Sequence, residues 1–451
     1  MPSNTELPDR PDPSLLHRWL ARFSVDRWLV GFSGGADSTA LLHLLARIPN
    51  RPDLLAVHVH HGLQTEADHW TRFCQQQCRR LDIELIIHPV QVVERGLGLE
   101  AAARQARYQA LEQHLQAGDA LLLAHHGDDL AETLLLNLFR GAGLHGMSAM
   151  PPARRLKQGW LLRPLLGLRR SQLLQWLESQ LLQWQEDPSN QDDRFSRNFL
   201  RNRCLPLLDQ RWPGVRKRLA DTALLLQQQR DLLDAFTRSS LATMRLENGG
   251  LQRDTLATLS PQLQREVLRL WLHETTDHVP TRRKLEEIRR AALSDQRRFT
   301  IPWQNHRLCG WHDGLFALPR CQPEPGWQQS WDGLHALQLP DGCGMLSLHP
   351  PAGWTDPPMQ VRLRQGGERL RLPGRRHHHA LKKLLQATRT PPWERDCLPI
   401  LQAGDGEILA AGDRWISQRM QTWLEERGSR LRWQRPWQPR TMRSTSHGDL
   451  S

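Results

Sequence analysis

The stretch Trp28–Leu45, WLVGFSGGADSTALLHLL, decides the fold class. A short apolar run leads into the turn Ser33–Ser38, and an apolar helical pattern follows the turn. Gly34 and Gly35 allow a tight backbone bend and a close approach to a ligand. The unpaired N–H groups and the dipole at a helix N-terminus favour an anion. The stretch therefore predicts a strand, a phosphate-binding turn and a helix.

All six residues of this turn are predicted to bind a phosphate group: Ser33, Gly34, Gly35, Ala36, Asp37 and Ser38. The turn is not a Walker A loop, because the GxxxxGK[ST] pattern and a nearby lysine are absent. Asp37 would repel phosphate unless Mg²⁺ lies between them, so its carboxylate is predicted to be a magnesium ligand. The alternative is a plain strand-to-helix turn in which Asp37 or Ser38 caps the helix.

Short apolar runs alternate with longer helical patterns along the N-terminal part of the chain. Strands are predicted over 27–32, 53–60, 83–90 and 119–126, and helices over 38–47, 65–81, 99–116 and 128–140. This alternation predicts an α/β fold, a Rossmann-like parallel sheet with helices on both faces. Ligands of such sheets bind at the carboxyl ends of the strands, which are followed here by the loops 33–38, 58–63 and 125–132.

Two acids follow the fourth predicted strand. Asp129 and Glu132 are three residues apart at the start of a helix, so they share one face at the carboxyl edge of the sheet. Two carboxylates this close repel each other unless a cation lies between them. That cation could be Mg²⁺ or a substrate ammonium. The alternative is a pair of ordinary acids that complement the helix dipole.

Five histidines lie in the same loops: His58, His60, His61, His125 and His126. One interpretation is a zinc site, since catalytic zinc takes three protein ligands from His or acids. The other is that they hold the loops, contact phosphate or complete the strand ends.

The overall charge indicates a polyanionic partner. The formal net charge is +12 and the pI about 10.2, and arginine supplies most of it because the chain has only five lysines. Such an excess favours nucleic acid as a partner. No apolar run is long enough to span a membrane and the N-terminus does not resemble a secretory signal, while seven scattered cysteines fit a reduced, cytoplasmic compartment.

Three groups of basic residues could contact RNA phosphates. Arg104 and Arg107 are three residues apart on one predicted helix, and Arg194, Arg197 and Arg201 form a stripe along another that begins near 195. The third group lies within 374–383 and includes Arg375, Arg376, Lys382 and Lys383. The alternative for each group is a solvated helix face with salt bridges.

The turn SGGADS resembles the SGGxDS motif of the N-type ATP pyrophosphatases. The further segments VHVHHGLQTEAD (57–68), EAAARQARYQAL (100–111) and LAHHGDDLAETLLLNLFRGAGLHGMSAM (123–150) resemble the tRNA(Ile)-lysidine synthetase family within that superfamily. The likeness is nearly continuous over 28–208 and resumes in GRRHHHALKKLLQATRTPPWERDCLPIL (374–401).

This resemblance implies a ligase that uses ATP and Mg²⁺. Its substrates would be free L-lysine and the tRNA(Ile) with a CAU anticodon, whose wobble cytidine is adenylated and then converted to lysidine. It implies no required zinc. The residues expected to take part in catalysis are Asp37, Asp129, Glu132 and Arg197, with Asp129 and Glu132 binding the lysine ammonium. Those expected to bind tRNA are Arg104, Arg107, Arg201, Arg375, Arg376, Lys382 and Lys383.

The domain organisation follows from the same comparison and from local composition. We expect a catalytic domain over 1–214, a helical tRNA-binding domain over 215–320, a linker with a short β region over 321–359, a small α+β tRNA-binding domain over 360–430 and a disordered tail over 431–451. A homodimer is left open as the assembly.

Two other functions are open to a chain with these motifs. A tRNA 2-thiolation enzyme of the same superfamily would need a reactive cysteine pair, and Cys74 and Cys78 are predicted on a helix away from the strand ends. A tRNA-binding protein with an inactive nucleotide fold would lack Asp37 or the second acidic group, and both are present.

Overall fold

The computed structural model describes two compact units, with the boundary between Leu233 and Asp234. The described residues are 7–60, 67–90, 99–148, 150–157, 159–320, 326–340, 342–354, 358–375 and 377–436. Within these ranges, no helix is long and apolar enough to cross a membrane. The cytoplasmic location stays a prediction.

The first unit begins with the alternating strands and helices that the sequence predicts. They are α1 (Pro13–Leu20), β1 (Arg27–Gly31), α2 (Ala36–Ala46), β2 (Asp53–His60), α3 (Ala67–Arg80), β3 (Glu84–Pro89), α4 (Leu99–Gln113), β4 (Asp119–Leu122) and α5 (Gly127–Phe139). The observed bounds lie within a few residues of the predicted ones. The largest difference is that β4 ends at Leu122, so that His125 and His126 lie in the loop before α5.

The remaining elements of this unit complete the sheet and extend the chain beyond it. They are α6 (Leu144–Met147), β5 (Ala153–Leu156), β6 (Gly159–Leu162), α7 (Arg170–Ser179), α8 (Ser196–Phe199), a π-helical turn (Leu200–Cys204), α9 (Leu205–Arg211) and α10 (Val215–Met244). The helix predicted to begin near 195 is therefore interrupted by a wider turn that contains Arg201.

The six strands form one sheet in the order β3–β2–β1–β4–β6–β5. All neighbouring pairs are parallel except β5 and β6, which are antiparallel. Since β2 and β4 lie on opposite sides of β1, the direction of winding reverses between β1 and β4. In open α/β sheets a ligand crevice forms at the carboxyl ends of strands at such a reversal. The α/β prediction is confirmed.

Both faces of this sheet are buried. Along β1, Trp28 and Val30 belong to one hydrophobic cluster, which includes Leu41 of α2, whereas Leu29 belongs to another, which includes Leu111 of α4. Strands buried on both sides read as continuous apolar runs, and this explains the pattern from which they were predicted.

The second unit begins with helices that cover an antiparallel sheet. Its elements after α10 are β7 (Leu251–Gln252), α11 (Arg253–Ala257), α12 (Pro261–Thr276), α13 (Arg282–Ala292), β8 (Phe299–Trp303), β9 (His306–Trp311) and β10 (Gly314–Pro319). The sheet order is β7–β10–β9–β8. Trp271 of α12 shares a core with Leu308 and Leu315 of the sheet. The region predicted to be helical therefore contains a sheet as well.

The C-terminal part is the predicted α+β structure. Its elements are β11 (Gln328–Trp331), β12 (Leu337–Gln338), β13 (Met345–His349), β14 (Met359–Leu363), β15 (Arg369–Leu370), β16 (His379–Ala380), α14 (Leu381–Ala387), α15 (Pro392–Asp396), β17 (Pro399–Gln402), β18 (Ile408–Ala411), β19 (Trp415–Ile416), α16 (Gln418–Glu426) and β20 (Arg430–Gln434). The larger sheets have the orders β11–β14–β17–β18–β19 and β12–β13–β20.

Two of the expected boundaries differ from this structure. The region 321–359 is more than a linker, because Trp331 and Leu346 lie in the same hydrophobic core as Leu401. The tail predicted to be disordered from 431 begins with β20, which pairs with β13. Leu431 and Trp433 alternate with polar neighbours and are buried, so this period-two pattern marks a strand.

Candidate active site

The loop Ser33–Ser38 connects β1 to α2 and is held by its own hydroxyl groups. Ser33 Oγ and Ser38 Oγ are 3.1 Å apart, and the Ser38 hydroxyl donates to the Gly35 carbonyl oxygen at 3.0 Å. Outside the loop, the Gln185 backbone N–H donates to the carbonyl oxygen of Gly34 at 2.9 Å. The two serines thus fix the shape of the loop from inside.

The backbone of the loop requires glycine and leaves the start of α2 open. Gly34 has φ +83°, and a Cβ there would lie 3.1 Å from Cys74 Sγ and 3.3 Å from Phe73 Cδ1. The residue that precedes α2 is Gly35, which has no side chain, so the interpretation of Asp37 or Ser38 as a helix cap is wrong. The first N–H groups of α2 are therefore available to an anion.

Asp37 offers an oxygen that fits a magnesium ion. Its Oδ1 is buried and accepts no hydrogen bond from the described residues, and Arg170 Nε is 3.8 Å away. Mg²⁺ is commonly held by one or two carboxylates, with substrate phosphates and waters as its other ligands. Across the described ranges, no group of three or more His, Cys, Asp or Glu side chains is arranged to hold a metal ion. One carboxylate beside a phosphate-binding loop meets the requirement for magnesium.

His126 links this loop to the acids of α5. Its side chain is 1% exposed, and Nε2 lies 3.5 Å from both Asp37 Oδ2 and Asp129 Oδ2. Burial lowers the pKa of His126, but the neighbouring carboxylates of Asp129 and Asp37 outweigh burial and raise it to about 9. A buried imidazolium therefore joins the two acids. The sequence grouped His126 with the other histidines and missed this role, although its place between β4 and an acidic helix start was visible.

The guanidinium of Arg201 lies between Asp129 and Glu132, where the sequence predicted Mg²⁺ or a substrate ammonium. Its Nε donates to Glu132 Oε1 at 2.6 Å, and its Nη2 donates to Glu132 Oε2 at 2.9 Å and to Asp129 Oδ1 at 3.2 Å. The sequence assigned Arg201 to tRNA, whereas its guanidinium is engaged with these two carboxylates. Bidentate arginine–carboxylate contacts of this kind are strong and fix orientation.

The two acids differ in electrostatic environment. Glu132 is fully buried, and burial raises its pKa while Arg201 opposes that rise. Burial acts to raise the pKa of Asp129, but the neighbouring imidazoles, first His126 and then His125, and the guanidinium of Arg201 outweigh it and lower that pKa. Asp129 is therefore the more firmly ionised of the pair.

Arg197 lies beside the same carboxylates. Its Nη2 donates to Thr133 Oγ1 at 2.8 Å, and its Nε is 3.6 Å from Glu132 Oε2. The structure thus brings Asp37, Asp129, Glu132 and Arg197 into one neighbourhood at the carboxyl edge of the sheet, as the sequence predicted.

The residues assigned to tRNA fall in both units. In α4, Arg104 covers the Tyr108 ring, 5.3 Å from its centroid, and Arg107 is exposed. In the second unit, three further members of the set are exposed on and near α14: Arg375, Lys382 and Lys383. Arg376 lies outside the described residues.

A basic cleft in the second unit was missed by the sequence analysis. It has a volume of about 430 Å³, and its lining includes Arg298, Trp311, His312, Arg389 and Arg395. The Arg298 guanidinium lies 4.5 Å from the Trp311 ring centroid. Arginine beside an aromatic ring suits RNA, which offers phosphates and base faces together. Its residues are far apart in the sequence, so no local pattern could have indicated it.

The cysteines do not form a reactive pair. Cys74 is buried against Gly34, so the prediction that it lies away from the strand ends was wrong. Burial raises the pKa of Cys74 and raises that of Cys78 to about 12. A thiol that stays protonated is a poor nucleophile. This environment does not favour 2-thiolation.

The other loop histidines have protein partners of their own. His58 Nδ1 is 2.9 Å from the Phe32 carbonyl oxygen, and His125 Nδ1 accepts from Arg163 Nε at 3.2 Å. These contacts hold loops in place, which is the second of the two interpretations of the sequence. His61 lies outside the described residues.

Comparisons with known proteins agree with this arrangement. Residues 13–208 match the family model of a PP-loop domain, 251–316 that of a TilS substrate binding domain and 359–433 that of a TilS substrate C-terminal domain. A tRNA(Ile)-lysidine synthase from Xanthomonas campestris is 42% identical over 90% of this chain and 94% of its own length. One from Xylella fastidiosa is 43% identical over 90% and 94%.

Among solved structures, the U34-tRNA thiolase NcsA from Methanococcus maripaludis is 18% identical and covers 48% of this chain and 78% of its own. Its TM-score is 0.39, which adds nothing to the assignment.

Proposed function

This chain belongs to the tRNA(Ile)-lysidine synthase family, and from that premise we propose that it ligates free L-lysine to the wobble cytidine of the tRNA(Ile) with a CAU anticodon. The product is lysidine, formed through a new carbon–nitrogen bond. ATP is consumed and is released as AMP and diphosphate.

The reaction would proceed in two steps, adenylation of the cytidine and displacement of AMP by lysine. First, O2 of the cytidine attacks the α-phosphorus of ATP, the bond from that phosphorus to the bridging α–β oxygen breaks, and diphosphate leaves with the electron pair. Next, the neutral ε-amine of lysine attacks C2, the C2–O bond breaks and AMP leaves, while the amine loses a proton. Adenylation thus converts a poor leaving oxygen into a good one.

The loop Ser33–Ser38 is proposed to hold the ATP phosphates on its backbone N–H groups and on the start of α2. Asp37 would hold Mg²⁺ through its unpartnered Oδ1. When bound, the ion would neutralise phosphate charge as a Lewis acid. Arg197, beside the same crevice, is proposed to stabilise charge on the α-phosphate during the first step.

Asp129 and Glu132 are proposed to bind the lysine ammonium. Arg201 already occupies the space between them, so the ammonium would compete with its guanidinium. Of the two, Asp129 is the better partner, because Arg201 gives its Oδ1 one hydrogen bond and gives Glu132 two, while His126 holds Asp129 by its other oxygen, Oδ2. When lysine binds, we expect Arg201 to retain its hydrogen bonds to Glu132 and to lose its hydrogen bond to Asp129.

The tRNA is proposed to contact basic surfaces of both units. In the first unit these are Arg104 and Arg107, near the strand ends. In the second unit they are the exposed side chains of Arg375, Lys382 and Lys383, together with Arg376, and the cleft around Arg389. A cytoplasmic location fits free lysine and tRNA as substrates. We propose 1–214 as the catalytic part.

The observation that supports this function most directly is the contact of His126 with both Asp37 and Asp129. It brings the phosphate-binding loop and the proposed lysine-binding acids within one side chain of each other. Asp37→Ala is expected to abolish tRNA-dependent ATP–pyrophosphate exchange while the Kd for tRNA stays nearly unchanged. Equal loss of exchange and tRNA binding would show that Asp37 is structural.

A lysine-dependence assay separates this function from 2-thiolation. Wild-type protein with ATP and tRNA(Ile) should incorporate labelled lysine into the tRNA. A sulfur donor should not replace lysine in releasing AMP. Asp129→Asn is the matched variant: it should raise the KM for lysine more than it lowers exchange, because exchange does not use lysine.

A further inference from the structure

Arg163 is a buried cation that the proposed mechanism does not use. It follows β6 and is 4% exposed. Its Nη1 donates to the Pro151 carbonyl oxygen at 2.7 Å, and its Nη2 donates to the Tyr108 hydroxyl at 3.4 Å. Throughout the described part of the chain, no carboxylate lies within ion-pair distance of it. A buried charge without a counter-ion is costly and calls for a reason.

The third donor of Arg163 fixes the state of His125. Arg163 Nε donates to His125 Nδ1 at 3.2 Å. A guanidinium has donors only, so Nδ1 must accept and the ring proton must be on Nε2. Burial lowers the pKa of His125 to about 3; the Asp129 carboxylate opposes this shift, and the positive charge of Arg163 adds to it. The imidazole is therefore neutral and has a single tautomer.

His125 lies near the charged residues of the proposed active site, because the charges of Asp129 and Arg197 both act on its ring. His125 precedes His126, which contacts Asp37 of the phosphate-binding loop. Arg104 and Arg197 are close enough to lower the His125 pKa further. His125 is only partly buried, and its Nε2–H donates to none of the described residues. A neutral N–H donor near two arginines and the Asp129 carboxylate can bind an anionic oxygen of a ligand, whose charge the arginines would balance.

We propose that His125 donates its Nε2–H to a phosphate oxygen of bound ATP, and that Arg163 is the positioning residue that fixes this tautomer. This inference rests on the proposed function, since it names a further contact in the same reaction. A neutral imidazole used as a donor keeps its hydrogen bond at every pH at which the protein is folded.

Two substitutions of His125 separate donation from structure. His125→Gln can accept from Arg163 and still extend an N–H group to about the place of Nε2. His125→Asn can accept from Arg163 but is too short to reach outward. We expect kcat for tRNA-dependent ATP–pyrophosphate exchange to fall about 100-fold in His125→Asn, a loss typical of removing one oxyanion donor. In His125→Gln it should fall less than about 10-fold.

The controls use the protein's one tyrosine. Growth on 3-fluorotyrosine labels Tyr108 alone and gives one ¹⁹F resonance beside Arg163. This resonance and the Tm should be the same in the Gln and Asn variants as in wild type, which shows that Arg163 stays in place. In ¹⁵N-histidine spectra, the resonance lost in His125→Asn should have the neutral Nε2–H pattern from pH 6 to pH 8.

Several outcomes would overturn the inference. Full exchange activity in Asn, or equal losses in Gln and Asn, would show that His125 does not donate to substrate. A raised Kd for tRNA with an unchanged kcat and KM for ATP would assign the contact to an RNA phosphate instead. Absence of exchange in wild type would refute the proposed function itself, and it is measured first.

Discussion

Replacement of Arg201 by methionine tests the electrostatic core of the site. Glu132 is fully buried and receives two hydrogen bonds from Arg201, at 2.6 and 2.9 Å. In Arg201→Met the nearest remaining cation is Arg197, whose Nε is 3.6 Å from Glu132 Oε2. Removal of one partner of a buried pair costs about 3–5 kcal/mol. For a unit of this size the Tm should fall by roughly 6–20 °C.

The sign of the pH dependence follows from Glu132. Burial already raises its pKa above the ordinary value, and loss of Arg201 raises it further. A carboxyl whose pKa is higher in the folded than in the unfolded state destabilises the fold increasingly as pH rises above the unfolded value. The loss of stability in Arg201→Met should therefore be larger at pH 8 than at pH 5. Thermal unfolding followed by circular dichroism at both values measures it.

Two further variants make this prediction refutable. Adding Glu132→Gln to Arg201→Met should restore much of the Tm, because no buried charge is then left. Arg203→Met is the matched control, since Arg203 pairs with Asp193 at an equally short 2.7 Å but on the surface, and its Tm should stay close to wild type. If Arg201→Met and Arg203→Met have similar Tm values, or if the double variant is no more stable than Arg201→Met, the reasoning is wrong.

Three other perturbations have expected outcomes. Gly34→Ala should abolish ATP binding in equilibrium dialysis, because its φ is +83° and its Cβ would meet a buried side chain, whereas Gly143→Ala, which meets nothing within 4 Å, should bind ATP normally. Burial opposes ionisation of Glu368, but backbone N–H groups and an arginine outweigh it and lower its pKa below the ordinary 4.5. The ionised carboxylate therefore stabilises the fold above pH 4.5, and this stabilisation is lost as the pH falls through the lower pKa of the folded state. In Glu368→Gln, this pH-dependent part of acid unfolding should be absent. Replacement of Arg389 and Arg395 by alanine should weaken tRNA binding and reduce the salt dependence of log K by about one for each lost phosphate contact, measured by filter binding from low to high salt.

The parallel sheet could be predicted because its cause is local. Strands buried on both faces give apolar runs in the sequence. The residues of the turn after β1 are compatible with few structures other than a phosphate-binding turn. The helix bounds followed from the same patterns, and the two acids of α5 were identified from their spacing. That spacing indicated a cation between them, Mg²⁺ or a substrate ammonium, and the structure shows the guanidinium of Arg201 there instead.

The identity of that cation could not be predicted. Arg201 is 69 residues beyond Glu132 in sequence, and no local pattern joins them. On its own helix it resembles Arg197 and Arg194, so a stripe for RNA was the simpler interpretation. Its side chain turns inward because leaving the buried Glu132 carboxylate without a cation would cost more free energy than the arginine would gain from solvent.

The C-terminal α+β structure was predicted, but most of its strands were not identified individually, for a related reason. Many have only two to five residues, and they pair with partners far along the chain, such as β13 with β20. Prolines and glycines between them resemble a linker. Only the alternation of Leu431 and Trp433 with arginine and glutamine indicated that the chain was still part of the folded core.

The widened turn at Leu200–Cys204 has a consequence for how this gene can vary. A π-helical turn holds one residue more than an α-helical turn, and it sets the rotation of every side chain after it. Deleting that extra residue would rotate the downstream side chains by about 100°. Substitution of exposed residues nearby keeps this rotation, but a codon gained or lost between Phe195 and Arg201 would turn the guanidinium away from Glu132. The number of residues between Phe195 and Arg201 should therefore stay constant even where their identities change.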